Sequence, residues 1–203
     1  MAKHTLTEGS AAMWYVMQVV SGQENRTVLL LERMVSDRSL QHCFVPVRRL
    51  RKKFHGAWNE VTEKLFPGYI FLATEKPQLL YEELKHVPAL TKILGKCEEY
   101  FTPLSGKDVE TLREMQGERA EEEKEIRDGK NRHREGLTVG ISKVSVDSVN
   151  QVKILCGPLK NMEGKIKKMN LHKRIAEVEM EFMGSMRLVY MGIEIVKENE
   201  ECR

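Results

Sequence analysis

The sequence has no pair of cysteines at the close spacing that zinc sites and redox motifs use. Its four cysteines, Cys43, Cys97, Cys156 and Cys202, are far apart, which favours reduced thiols over a disulfide framework or a zinc site. No apolar run approaches the roughly 18 residues that a membrane span requires. We therefore expect no membrane association and a cytoplasmic location. Residues 1–12 lack the apolar core of a signal peptide and are predicted to form a flexible tail.

Excess charge of one sign is also missing, since 33 Lys and Arg residues stand against 30 Asp and Glu residues. The formal net charge is only +3. Any affinity for nucleic acid must then come from local patches of charge and not from the protein as a whole.

No catalytic constellation is evident. The phrase GPLKNMEGK resembles a phosphate-binding loop, but six residues separate Gly157 from Gly164, and Ile166 stands where Ser or Thr would contact magnesium. His42 and Cys43 are adjacent, and adjacent residues of a strand point to opposite faces. We therefore expect no enzyme activity, no cofactor and no metal site.

Strand and helix signals alternate through residues 13–117. A β-prone run is followed by Ser21 and Glu24, at the spacing of a capping box, and then by apolar residues at helical intervals. A charged hairpin is predicted to turn at His55 and Gly56. The same signals predict strands at 13–20, 42–47, 68–74 and 89–94, and further helices at 76–87 and 102–116. This order matches the split βαβ, ferredoxin-like arrangement of an antiparallel sheet with helices on one face.

The second half of the chain changes character. Residues 118–135 contain seven acidic and six basic side chains, so residues 118–137 are predicted to be a charged linker that cannot bury enough surface to fold alone. Short β-type runs punctuated by glycine follow in residues 138–203 and are typical of a small barrel. The predicted fold class is α+β, with a ferredoxin-like N-terminal domain joined by this linker to a small SH3-like β-barrel.

The stretch LFPGYIF places Pro67 and Gly68, which interrupt regular pleating, between two aromatic side chains, Phe66 and Tyr69. Such an interruption can turn both rings towards an exposed concavity, and aromatic rings are typical anchors of protein interfaces. The alternative is that these rings pack the core of the sheet.

Two basic clusters stand out. The first belongs to the predicted hairpin and lies next to the aromatic residues Phe54 and Trp58, a combination that can hold phosphates and stack on bases; it consists of Arg48, Arg49, Arg51, Lys52 and Lys53. The alternative is an exposed hairpin that its charges keep soluble.

The second cluster has seven basic residues against one acidic residue, Glu163, within 22 positions. Four glutamates elsewhere in the predicted barrel balance it, so charge is segregated as an electrostatic footprint for a polyanion requires. With Arg187, the predicted RNA-binding residues are Lys153, Lys160, Lys165, Lys167, Lys168, Lys173, Arg174 and Arg187. Generic solvated lysines are the alternative.

Several phrases resemble the NusG family of transcription elongation factors. WYVMQVVSGQE (residues 14–24), FPGYIF (66–71) and VPAL (87–90) look like the N-terminal, or NGN, domain of that family. VKILCGPLKNMEGKI (152–166) followed by FMG (182–184) looks like the KOW barrel that follows it. The two resemblances occur in the family's domain order, around the charged linker.

The resemblance implies partners and site residues. In NusG-like proteins a hydrophobic patch of the NGN domain docks on the coiled-coil clamp helices of RNA polymerase, and the positions that match are Trp14, Tyr15, Phe66, Pro67 and Tyr69. Since adjacent strand residues face opposite sides, core packing stays open for Trp14. The family also implies that the basic hairpin lies near non-template DNA, and we expect a monomer.

The loops of the KOW-like segment depart from the pattern of the general factor. They are more basic, and FMGSMR stands where an FGR-type phrase is usual. This departure favours a specialised paralogue of the LoaP type, a processive antitermination factor whose barrel binds a hairpin in the nascent leader RNA. A general NusG factor that couples polymerase to Rho or the ribosome is the first alternative. A ribosome-associated RNA-binding KOW protein is the second.

Overall fold

A computed structural model describes residues 13–88, 90, 101–116 and 136–197. The predicted tail, the predicted strand at 89–94 apart from Leu90, and residues 118–135 of the predicted linker lie outside the described residues. We call residues 13–116 the N-terminal unit and residues 136–197 the C-terminal unit. No helix within the described ranges is long and apolar enough to cross a membrane.

The N-terminal unit is built on an antiparallel four-stranded sheet with the order β2-β5-β1-β6, which is the order of a split βαβ fold. The predicted hairpin, β3 and β4, extends from it and turns at His55 and Gly56 as predicted, both with positive φ. The elements are β1 Met13–Gln18, α1 Glu24–Met34, β2 His42–Phe44, β3 Val47–Phe54, β4 Ala57–Lys64, β5 Tyr69–Thr74, α2 Pro77–Lys85, β6 Phe101–Pro103 and α3 Gly106–Gln116.

The two faces of this sheet have different coverings. Tyr15 and Met17 of β1 belong to a core that includes the buried side chains Leu31 of α1 and Leu80 of α2. Because strand residues alternate, the neighbouring residues of β1 face the other side, where they join a core shared with α3 and the C-terminal unit. The prediction of helices on one face is therefore confirmed for α1 and α2 and wrong for α3.

The edge strand β6 was missed by the sequence analysis. Phe101–Pro103 pairs with β1, whereas residue 102 was predicted to begin the last helix. The helix begins at Gly106. Ser105 precedes it, and its Oγ accepts a hydrogen bond from the Asp108 N–H at 3.1 Å, so a cap at Ser105 ends the preceding extended segment.

The C-terminal unit contains a five-stranded sheet with the order β10-β11-β12-β8-β9. The β-type runs of the sequence, VKIL, GKIKKMN, RIAEVEMEF and RLVYMGI, correspond to the strands β9 to β12, and two additional strands, β7 and β8, precede them. Strand β7 leaves this sheet and pairs in parallel with β3 of the hairpin. The elements are β7 Thr138–Val139, β8 Ser142–Val146, β9 Val152–Cys156, a 3-10 helix Pro158–Lys165, β10 Ile166–Asn170, β11 Ile175–Phe182 and β12 Ser185–Ile195.

The described cysteines differ in state. Cys43 is free and buried, and burial, together with the charge of Glu32, raises the pKa of its thiol to about 12. Cys156 is disulfide-bonded, so the expectation of reduced thiols is wrong for this residue. Sequence spacing could not reveal this, because disulfide formation depends on the distance between cysteines in the fold.

The hairpin crosses β12 at Gly192, where the two backbones approach closely. A Cβ at this position would clash with the Arg49 carbonyl oxygen and would lie 3.2 Å from the Leu50 Cα. Both obstacles are backbone atoms of β3, which cannot move aside as a flexible side chain would. Only glycine therefore allows this contact between the two units.

We expect the Gly192→Ala variant to loosen the contact between the units, because one strand must shift to admit the methyl group. Overpacking of this kind costs about 1–3 kcal/mol. Unfolding free energy should fall accordingly, and the radius of gyration from small-angle scattering should rise. Gly140→Ala is the matched control, since a Cβ there meets nothing within 4 Å. Equal values for both variants and the parent chain would contradict the contact.

Candidate functional site

The FPGY phrase forms a tight turn. The Tyr69 N–H donates to the Phe66 carbonyl oxygen at 3.3 Å, and Gly68 has a φ of 84°. A type II turn has this pattern, with proline at its second position and a positive φ at its third, which glycine adopts without strain. Pro67 is exposed. The turn therefore leads directly into β5, whose first residue is Tyr69, and leaves Phe66 outside the strand.

A buried carboxylate holds this turn. Glu24 accepts a hydrogen bond from the Gly68 N–H at 2.7 Å and forms an ion pair with Lys64. Burial alone would raise the pKa of Glu24, but hydrogen bonds from Lys64 and from backbone N–H groups, together with the charge of Lys64, outweigh burial and lower the pKa to about 2. The predicted capping box with Ser21 is wrong, because the N-cap of α1 is Gln23 and Glu24 is committed to the turn.

Phe66 is only 5% exposed. Its ring stacks on that of Phe182 in the C-terminal unit, with centroids 4.5 Å apart and planes within 3°. Phe71 lies behind both rings, at 6.1 Å from Phe66 and 6.3 Å from Phe182. The expectation that Phe66 faces solvent is thus wrong for this arrangement. The ring does leave the N-terminal sheet, but the C-terminal unit covers it.

The other predicted polymerase-binding residues divide between the two faces. Trp14 is half-buried on the same face as Phe66, with its ring edge-on to Phe44 at 5.5 Å. Tyr15 faces the helices and stacks on Phe101 at 4.6 Å, so it does not join this group. Tyr69 is half-buried beneath the guanidinium of Arg187, 5.3 Å from the ring centroid. We call Trp14, Phe44, Phe66, Tyr69 and Phe71 the aromatic face.

The basic residues of the hairpin are largely paired. Arg48 and Lys52 both form ion pairs with Glu63, and Arg49 lies 3.8 Å from Glu60. Hydrogen bonds from Lys52 and Arg48, together with their positive charges, lower the pKa of Glu63. Lys53 is exposed and has no ion pair with a described residue.

Two arginines of the hairpin reach the C-terminal unit. Arg48 Nη1 donates to the Tyr190 carbonyl oxygen at 2.9 Å, and Arg51 forms an ion pair with Glu194 at 2.8 Å. The family resemblance implies that these arginines lie near DNA. In this arrangement they instead join the two units.

The predicted RNA-binding residues do not form one group. Lys165 pairs with Glu114 of α3 at 3.0 Å and Lys167 pairs with Glu179 at 2.7 Å. Arg187 covers Tyr69, and Arg174 lies over the ring of Trp58 in the hairpin. The remaining four, which are exposed, are Lys153, Lys160, Lys168 and Lys173.

Asp108, which is not among the predicted site residues, links the two units. One carboxylate oxygen accepts from the Ser105 hydroxyl at 2.6 Å, and the other accepts from the Met183 N–H at 2.9 Å, in the turn between β11 and β12. Burial opposes the charge, but these hydrogen bonds prevail and lower the pKa of Asp108. The phrase Ser-x-x-Asp at 105–108 was the available signal. No group of three or more potential metal ligands occurs among the described residues.

The chain is similar to several known proteins. The family model of the transcription termination factor NusG matches residues 12–113. The transcription termination/antitermination protein NusG of Haemophilus influenzae is 24% identical over 182 residues, 88% of this chain and 89% of that protein. The protein of the same name from Thermus thermophilus is 25% identical over 181 residues, 84% of this chain and 90% of that protein. A solved structure titled "Domain interaction in Thermotoga maritima NusG" covers 89% of this chain and 93% of that chain, with 20% identity and a TM-score of 0.47.

We expect the free energy of unfolding of the Glu24→Gln variant to depend less on pH below pH 4.5 than that of the parent chain. A carboxylate whose pKa falls from 4.5 to about 2 on folding stabilises the fold above pH 4.5, and this contribution is lost as the pH falls towards 2. The shift corresponds to about 3 kcal/mol. Urea unfolding between pH 7 and pH 2 measures it. Glu110→Gln, at an exposed position of α3, is the control, and equal curves for the two variants would exclude the role given to Glu24.

Proposed function

The chain belongs to the family of the transcription termination factor NusG, and on this premise we propose that it is a transcription elongation and antitermination factor that binds RNA polymerase. The single observation that carries the proposal is the aromatic face. Five aromatic side chains lie on the side of the N-terminal sheet that α1 and α2 leave uncovered. Aromatic rings on a rigid sheet bind a partner with little loss of side-chain entropy. The family consists of transcription factors, so we propose no catalytic activity.

The polymerase-binding residues of the proposal are Trp14, Phe66, Pro67 and Tyr69, with the clamp helices as the partner. Tyr15 supports the sheet from its other side. Phe182 and Arg187 now cover the aromatic face, so the C-terminal unit must move before a helix pair can dock there. The covered arrangement is then a resting state that competes with polymerase.

The polar contacts between the two units support the proposal that the units can separate and re-associate. The buried Nε atoms of Arg48, Arg51 and Arg187 have no hydrogen-bond partner among the described residues. Each of these arginines contacts the opposite unit. A buried donor without an acceptor costs about 1–3 kcal/mol. Separation of the units would return all three groups to water and so offset part of the lost apolar contact.

The proposed mechanism is a shift between two states of the polymerase. The N-terminal unit would bridge the jaws of the clamp across the DNA channel. It stabilises the closed, elongating state because it binds that state more tightly than the paused, open state, and only such a difference in affinity can shift the equilibrium.

Opposite effects of two substitutions test this proposal. Phe66→Ala combined with Tyr69→Ala removes two anchors and should weaken binding to core RNA polymerase by about 30-fold or more. Arg187→Ala removes part of the cover and should strengthen it, because a partly populated competent state lowers apparent affinity. Pull-down and fluorescence titration with polymerase measure both. Retained affinity in the double variant would exclude the aromatic face as the binding surface.

The finer part of the proposal is a specialised paralogue of the LoaP type. Its support is the basic C-terminal unit, in which Lys160 and Lys168 are exposed and have no ion pair with a described residue. The proposed partner is a hairpin in the nascent leader RNA, recognised through phosphates and shape, with sequence read in loops or bulges. A general NusG factor that contacts Rho or the ribosome through protein surfaces remains the second candidate.

RNA binding separates these two candidates. The full chain should bind a leader RNA hairpin with an affinity that falls by about 0.7–0.9 log units per neutralised phosphate for each tenfold rise in salt. Charge reversal at Lys160 and Lys168 should reduce the slope by about two such steps. Filter binding across a salt series measures the slope. A chain that ignores RNA at low salt would favour the general factor.

A further inference from the structure

The fold brings together two basic segments that are far apart in sequence. One is the tip of the hairpin, residues 52–59, and the other is the turn from β10 to β11, residues 167–174. The guanidinium of Arg174 lies 5.0 Å from the ring centroid of Trp58, so the two segments touch. One segment belongs to the N-terminal unit and the other to the C-terminal unit.

Neither segment contains an acidic residue, and together they contain six basic ones. Lys52 and Lys167 are paired with carboxylates outside the segments. Lys53 and Lys173 are exposed and have no ion pair with a described residue. The nearest carboxylate along the Trp58 side of β4 is Glu60, which is paired with Arg49. At the junction of the units, Lys53 and Lys173 therefore present positive charge that no ion pair among the described residues neutralises.

Trp58 supplies an aromatic ring among these basic side chains. It pairs across the hairpin with Lys53, so the two side chains share a face of the ribbon. Trp58 is still 37% exposed beside the Arg174 guanidinium. Phe54 is 49% exposed, but it neighbours Lys53 in the strand and so lies on the opposite face.

From these contacts we propose that Trp58, Lys53, Lys173 and Arg174 form one composite binding site for single-stranded nucleic acid, shared by the two units. Phosphates would lie against the cations, and a base would stack on Trp58. Grooves of this kind bind single strands because every unpaired base offers a face for stacking, whereas a duplex hides its bases. The inference rests on the proposed function, and it deepens it by joining the hairpin and the C-terminal unit into one site.

Titration of the full chain with short labelled strands tests the site. The probes are a ten-nucleotide oligo-dT, an oligo-U of the same length and a duplex of that length, each followed by fluorescence anisotropy at low salt. Trp58→Ala should weaken single-strand binding by about 5- to 100-fold. Phe54→Ala removes a more exposed aromatic ring on the other face of the hairpin. This variant is the matched control and should change the affinity less than twofold.

A second readout observes the stacking directly. The chain has two tryptophans, so Trp14→Phe leaves Trp58 as the only indole. A stacked base should quench its fluorescence in proportion to the anisotropy change. Arg174→Gln should weaken binding in the parent chain and have a smaller effect in a Trp58→Ala background, because the two side chains act together.

The outcomes are distinct. Binding of either single strand, with loss in Trp58→Ala and not in Phe54→Ala, supports the site, and a preference for oligo-dT or oligo-U shows which kind of strand it favours. Equal losses in the two aromatic variants, an unquenched Trp58, or preference for the duplex would overturn it. Polymerase binding by the same variants is measured separately. Failure of the composite site would leave that result intact, whereas loss of the polymerase function would leave strand binding intact.

Discussion

The stack of Phe66 on Phe182 is the contact on which the closed arrangement depends. A sheet with one face covered by helices and the other lined by phenylalanines cannot remain exposed to water without a large cost. The C-terminal unit supplies the missing layer by inserting its own ring. Polar contacts of Arg48, Arg51 and Asp108 also join the two units.

Much of the fold could be predicted from local patterns. Apolar, β-prone runs gave β1 and β5, the His55-Gly56 pair gave the hairpin turn, and helical spacing gave α1 and α2. Predictions were wrong where a residue that fits a local motif instead bonds to a residue far away in the sequence. Ser21 and Glu24 have the spacing of a capping box, yet the buried Glu24 carboxylate is drawn to the N–H of Gly68. No local pattern could show this, because 44 positions separate the two residues.

The residue types of the candidate site could be predicted from the sequence. Whether these side chains are exposed or covered could not. FPGY indicated outward-facing rings, and the turn does direct Phe66 out of its sheet. That Phe182 would cover it depends on how two units dock, which sequence periodicity does not report. The basic residues show the same limit. The sequence suggests that Arg51 and Arg187 contact nucleic acid. In the fold, Arg51 forms an ion pair with Glu194, and Arg187 lies over the ring of Tyr69.

The Arg174 contact with Trp58 makes the two units parts of a single thermodynamic linkage. A nucleic-acid strand that binds both units at this junction would stabilise their contact. A helix pair that binds the aromatic face would require the two units to separate. Each ligand must then weaken the other by the same factor, whichever arrives first. Release of a bound nucleic-acid strand would thus raise the affinity of the chain for a protein partner that binds elsewhere on the molecule.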